Sequence, residues 1–174
     1  MFLGRDHPRL TPGDLPEAAQ FRTFHPFIRG VFSQWHHTPF ELQSIRFVTA
    51  EQWMMHAKAV LFGDEDCAAQ ILAADHPAMQ KRLGTLVRDF DQAQWDLWKL
   101  DIVYEGNRAK FEQNPGAARQ LASTEEAMLV EANPRDWIWG VGRSIDDPQV
   151  TDPSHWRGTN FLGRILTRIK QELA

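Results

Sequence analysis

The end of the chain carries the plainest pattern. Phe161, Leu162, Ile165, Leu166, Ile169 and Leu173 recur at three- and four-residue steps and form one stripe, predicting a helix over about Asn160 to Leu173. The stretch from Asp91 to about Gln113 is the longest helical candidate. Trp95, Trp98, Ile102, Glu105 and Ala109 recur at helical steps, and Leu97, Tyr104 and Phe111 recur at seven, so two apolar faces are expected to be buried. Before it, Phe40-Glu41-Leu42 and Ile45-Arg46-Phe47-Val48 alternate apolar and polar residues around Gln43-Ser44, which predicts a short hairpin. Thr49 and Gln52 form a capping-box pattern that opens a helix running to about Phe62, with Gly63 as its stop. A second helix is expected from Asp64 to about Ala74. His76-Pro77 breaks it, because the residue before proline avoids the helical region, and a short helix follows to Leu83, ended by Gly84. Asn114-Pro115 starts another short helix through Leu121. Leu129-Val130 reads as a strand, and the Asp-, Pro- and Ser-rich stretch 143–158 as a loop. The resulting class is α+β, mostly helical with a small hairpin and short-strand component.

The chain has 174 residues, which suits one domain with a core of its own. Residues 1–20, with Pro8, Pro12 and Pro16, are expected to form an extended or poorly ordered arm, and residues 21–174 the folded body. A 43% hydrophobic and 24% charged composition excludes wholesale disorder and fibrous repeats. The net charge of -4 argues against a general nucleic-acid coat protein while leaving room for a local basic pocket. One cysteine, Cys67, allows no internal disulfide and no cysteine-rich zinc site. No apolar leader or run of membrane-span length is visible, and a cytoplasmic setting is expected. Seven tryptophans against one tyrosine supply core volume, pocket walls for a flat ring, or both.

Glu51 and Lys58 lie seven residues apart on the helix after the hairpin, so they face nearly the same side about 10 Å apart along the axis. That gap is too long for a close helical ion pair and suits two long side chains converging on one substrate atom. Met54, Met55 and Phe62 lie between and beyond them. An amine against such a wall loses its proton more easily; the plain alternative is a solvated charged face. A second segment, residues 129–142, mixes Glu131, Asp136, Trp137, Trp139, Gly140 and Gly142. It reads either as a ligand loop in which Trp139 stacks on a ring, or as a tight turn under packed tryptophans. Gly158-Thr159-Asn160 either caps the last helix or offers its N–H groups to a phosphate. Of the seven histidines, His36-His37 are adjacent and His56 has no ligand side chain four residues on, so no metal is expected. A metalloprotease helix, a nucleophile elbow and a nucleotide P-loop are all missing from the sequence.

The run Phe32-Ser33-Gln34-Trp35, the hairpin, and Thr49-Ala50-Glu51-Gln52-Trp53-Met54-Met55-His56-Ala57-Lys58 resemble the opening of the NADAR (YbiA-like) family. Leu83-Gly84, then Trp95, Lys99 and Arg108-Ala109-Lys110-Phe111, resemble its next blocks. Leu129-Val130-Glu131 with Asp136 and Trp139-Gly140, then Asn160-Phe161-Leu162-Gly163, resemble its last ones, and the order is the family order over about residues 24–173. Three positions depart from the pattern. Gln34 stands where the family has Asn, Gln52–Met55 replaces a polar-aromatic run, and Thr85 stands where an Arg often follows Leu-Gly, leaving Arg82 or Arg88 as substitutes.

The resemblance implies an N-glycosidase cleaving a ribosyl C1′–N bond, either of early riboflavin-pathway ribosylamino-pyrimidine phosphates or of ADP-ribose on guanine, with nucleic acid among the substrates. No cofactor, no metal and no membrane partner are expected. Glu51 and Lys58 match the family's catalytic pair. Lys58 is expected to add at C1′, Glu51 to move protons, and Asp136 to bind ribose hydroxyls or steady positive charge. Ser33, Gln34, Trp35, Arg82, Trp95, Trp139, Gly140 and Asn160 are the expected substrate contacts, with Trp139 and Trp35 over the flat ring. A carboxylate-only route needs no covalent lysine. A module that binds ADP-ribose or NAD without cutting is the reading from another class, motivated by the altered Gln52–Met55 run.

Overall fold

The structure, a computed structural model, describes residues 9–174. In chain order its elements are strands β1 (Phe24–Phe27), β2 (Phe40–Leu42) and β3 (Ile45–Phe47), then helices α1 (Ala50–Leu61), α2 (Glu65–Ala73), α3 (Pro77–Gly84), α4 (Gln92–Gln113) and α5 (Pro115–Ala122). Strand β4 (Met128–Glu131) and helix α6 (Phe161–Leu173) complete it. The α+β, mostly helical class follows directly. No helix among the described residues is long and apolar enough to cross a membrane. The described chain divides into two compact units, residues 9–10 with 34–114 and residues 11–33 with 115–174.

In the first unit β2 and β3 pair antiparallel, Phe40 opposite Phe47 and Leu42 opposite Ile45. The expected two-residue turn is there, with Gln43 and Ser44 at φ 54° and 61°. Both are left-handed, as a type I′ turn demands, although neither is the glycine or asparagine that adopts it most easily. Phe47 is fully buried and packs its ring 5.3 Å from that of Trp53. Thr49 caps α1 by accepting from Gln52 N at 3.0 Å. The Gln52 carbonyl returns to the Val48 N–H at 2.8 Å, one residue before the box pattern would place it. Its amide nitrogen donates to the carbonyls of Ile71, Leu72 and Ala74, so this one side chain also ties down the end of α2. Gly63 takes φ +72° at the α1 stop. Helix α4 is buried on more than one side through Trp98, Ile102, Val103, Tyr104 and Phe111; Leu97, expected on the second apolar face, is exposed. Its Gly106 is needed because a Cβ there would lie 2.1 Å from Trp53 Cδ1.

In the second unit β1 and β4 form a two-stranded parallel sheet, Phe24 opposite Met128 and Phe27 opposite Glu131. Strand β1 holds Pro26 and gives no alternating pattern in sequence. The other edge of β4 is closed by α6. Leu129 N donates to Thr167 Oγ1 at 3.0 Å, Asn160 Nδ2 donates to Leu129 O at 2.9 Å, and Glu131 N donates to Asn160 Oδ1 at 3.0 Å. Gly163 permits this approach, since a Cβ there would lie 2.1 Å from Leu129 O. The expected stripe of α6 is buried over Phe161, Leu162, Ile165, Leu166 and Ile169. Of the arm expected over residues 1–20, residues 1–8 lie outside the described residues. Residues 11–20 make two single-turn 3-10 segments, and Arg164 donates to the carbonyls of Pro12, Leu15 and Pro16.

Candidate active site

Helix α1 sets the first group of candidates. Glu51, in its first turn, is 6% exposed, and its backbone N–H donates to Gln34 O at 3.0 Å. Two turns on, Lys58 is half-buried and Nζ donates to Gly84 O at 2.8 Å. The same Nζ lies 4.2 Å from the Phe90 ring centroid and 5.8 Å from that of Trp95. Burial pulls the Lys58 amine below the ordinary lysine range; only a Cys67 thiolate would pull it back up. Burial, with Asp64 nearby, pushes the Cys67 thiol up, so the thiol stays protonated and the downward pull on Lys58 stands.

Gln34 joins the group through its side chain, which accepts from Asn107 Nδ2 at 2.8 Å and places Nε2 3.8 Å from Met54 Sδ. Trp95 is buried beside Lys58, while Trp35 is 43% exposed with Lys81 Nζ 6.0 Å from its ring centroid. Arg82 is exposed on α3 and its guanidinium has no partner among the described residues. Arg88, the other candidate for the missing arginine, is committed. It bonds Asp64 at 2.5 Å and Asp66 at 3.1 Å, and holds the Asp64 carboxyl well below the usual range at the cap of α2. Of the two, only Arg82 is left to meet a ligand.

The second unit carries the other candidates. One Asp136 oxygen accepts from Ile138 N at 3.0 Å and Trp139 N at 2.8 Å, a tight Asx turn that fixes the loop. Trp139 is half-buried, its ring edge-on to Phe161 at 6.4 Å. Gly140 is buried, and a Cβ there would meet Glu131 O at 2.8 Å. Ser33 is half-buried, with its N–H bonded to Gly30 O at 3.0 Å. Asn160 is fully buried at φ 52°; its carboxamide is spent on β4 and caps no helix N–H. The phosphate-loop reading of residues 158–160 meets the same obstacle. The N–H groups of Thr159, Asn160, Phe161 and Leu162 donate to the carbonyls of Trp137, Gly140, Ile138 and Trp139. The start of α6 is thus capped by the 136–142 loop itself.

The structure thus gathers Gln34, Glu51, Lys58 and Trp95 around α1, and Asp136, Trp139, Gly140 and Asn160 around one loop. Phe90 and Asn107 were not marked by the sequence. Phe90 lies outside every periodic segment, and Asn107 looks like any polar residue on a long helix. No cluster of metal-ligating side chains occurs among the described residues.

A family model described as the NADAR domain matches residues 21–174. N-glycosidase R617 of Acanthamoeba polyphaga mimivirus is 40% identical over 147 residues, covering 82% of this chain and 86% of that protein. N-glycosidase YbiA of Escherichia coli is 28% identical over 145 residues, 83% of this chain and 82% of that one. The NMR structure of E. coli YbiA matches with a TM-score of 0.71 at 26% identity, over 88% of both chains. Riboflavin biosynthesis protein PYRR of Zea mays is 31% identical over 112 residues, a match spanning 16% of that protein. The family model runs through both compact units, and the blocks read from the sequence fall inside it in order: the chain belongs to the NADAR family.

Proposed function

We propose that this chain, an N-glycosidase like the relatives matched over most of its length, hydrolyses the C1′–N bond of a ribosylamine with Lys58 as nucleophile. The substrate class is a ribose whose C1′ carries an amino-linked heterocycle, as in a ribosylamino-pyrimidine phosphate or ADP-ribosylated guanine. The observation that carries the reading is the setting of Lys58. Its amine is desolvated, tethered by one N–H to Gly84 O, and set against Phe90 and Trp95 on the helix that holds buried Glu51.

Ring opening of the ribosylamine breaks C1′–O4′ and forms a C1′=N imine to the base, with O4′ taking a proton. The neutral Lys58 amine adds to C1′ and the C=N pair returns to the base nitrogen. Glu51 delivers one proton to that nitrogen and the lysine nitrogen, ammonium after addition, gives up a second; the C1′–N bond to the base then breaks, the base leaves as its free amine, and a protonated lysine imine remains. Water, deprotonated by Glu51, adds to C1′; the new hydroxyl gives its proton to the lysine nitrogen as the C1′–N bond breaks, leaving the free amine and a C1′ aldehyde that recloses with the O4′ hydroxyl to ribose. The proposed duties of Asp136 are the ribose hydroxyls, and of Trp139 the flat ring. The altered run Gln52–Met55, which motivated a non-cutting module, does packing work: Gln52 ties α2, and Trp53 Nε1 donates to Ile102 O at 2.7 Å. It leaves Glu51 and Lys58 in place.

The test is borohydride trapping during turnover of both substrate types, with base release followed by mass. Wild type should release base and gain a ribosyl adduct at Lys58, and Lys58→Ala should do neither. Release by Lys58→Ala at the wild-type rate would sink the covalent route; tight ligand binding without release would favour the binding module.

A further inference from the structure

Asn107 lies in the middle of α4 with no exposed surface. Its Nδ2 donates to Val103 O, one turn back, and to Gln34 Oε1, both at 2.8 Å. Its Oδ1 is buried and accepts no hydrogen bond. A carbonyl such as that of Val103 can only accept, so the Asn107 carboxamide must turn its NH2 toward it. The same NH2 then meets Gln34, which can answer only with its oxygen. The Gln34 NH2 is therefore driven away from Asn107. It lies beside α1, where its one protein acceptor among the described residues is the thioether of Met54 at 3.8 Å. A thioether is a weak acceptor, so an N–H of Gln34 is left for something else. The backbone is fixed as well, because Gln34 O accepts the N–H of Glu51 at 3.0 Å.

We infer that Asn107 is a positioning residue that sets the polarity of Gln34, so that Gln34 meets the ribosylamine as a hydrogen-bond donor to one of its acceptor oxygens. The inference rests on the N-glycosidase reading with Gln34 at the substrate. The chain of cause is Val103 carbonyl, Asn107 amide, Gln34 amide, substrate oxygen. The unpaired Asn107 oxygen is the cost of that arrangement, tolerated because both neighbours of its NH2 are acceptors.

The test is a double-mutant cycle on base release from the ribosylamino-pyrimidine phosphate. Asn107→Leu and Gln34→Met should each raise KM about tenfold with kcat within about twofold, the loss of roughly one hydrogen bond to the bound substrate. The double variant should be no worse than about tenfold, because Asn107 acts through Gln34. Effects that multiply to about a hundredfold would overturn the inference. Gln34→Glu keeps the acceptor facing Asn107 but has no N–H to offer, so it should raise KM with the melting temperature unchanged; wild-type KM in that variant also overturns it. If Asn107→Leu does not fold, the two Gln34 variants decide. If wild type releases no base, the N-glycosidase reading fails, and the same cycle is read as ADP-ribose Kd by calorimetry. There, coupling supports the polarity relay, and absence of wild-type binding refutes it.

Discussion

Replacing Asn160 by alanine strips β4 of two partners at once. Leu129 O loses its donor at 2.9 Å and Glu131 N its acceptor at 3.0 Å, around a side chain with no exposed surface. Each orphaned group costs about 1–3 kcal/mol. Position 160 sits at φ 52° and ψ 35°, where alanine adds about 1 kcal/mol that asparagine tolerates better. The sum gives a loss of about 3–7 kcal/mol, a large share of an ordinary domain's stability. Asn160→Gly relieves the backbone strain but not the lost bonds, and should lose about 2–6 kcal/mol. Asn160→Asp keeps the acceptor for Glu131 N and sets a carboxylate oxygen against Leu129 O. It should be weak at neutral pH and recover as acid protonates it, because protonation restores a donor. Urea unfolding with a shared slope measures all three. An alanine variant within about 1 kcal/mol of wild type would refute the pin, and full recovery in the glycine variant would assign the effect to strain.

Three further outcomes are expected. Because burial lowers the Lys58 amine, the limb of kcat that rises with pH should level off below the ordinary lysine value of 10.5; a limb centred at 10.5 contradicts a desolvated nucleophile. Burial pushes Lys110 down to about 7, so between about 7 and 10.5 the unfolded chain holds a proton that the folded chain does not. Stability should therefore rise with pH across that window, at up to about 1.4 kcal/mol per pH unit, and Lys110→Met should lessen the slope in urea titrations; an unchanged slope refutes it. Replacing Gln43-Ser44 by Asn-Gly suits the left-handed turn at φ 54° and 61° and should stabilise by about 1 kcal/mol, read from the urea midpoint; a loss would contradict the type I′ geometry.

What the sequence made legible was local. The start and stop of α1 follow from Thr49, Gln52 and Gly63, and α6 from a single stripe, because capping and periodicity act within a few residues. The missing pieces depend on distant chain. Strand β1 exists by pairing with β4 a hundred residues on, and His25-Pro26 within it advertises nothing. Lys58 was legible as a candidate from its spacing, but the carbonyl that tethers it lies 26 residues away on α3. Asn160 looked like a helix cap because asparagine usually is one there. Its bonds to residues 129 and 131 belong to a strand that sequence reading could not orient. The exposure of Leu97 has the same origin, since a seven-residue recurrence gives a face but not what covers it.

The closed edge of β4 bears on how this protein fails as well as how it folds. A strand edge with bare N–H and C=O groups is a template on which another chain can polymerise. Here Leu129 and the Glu131 N–H are already satisfied by Thr167 and Asn160, side chains of a helix and its first flank rather than another strand. An incoming strand must first unseat α6. Helix α6 is therefore a guard against aggregation, and self-association under mild stress should track its detachment rather than the unfolding of the whole chain.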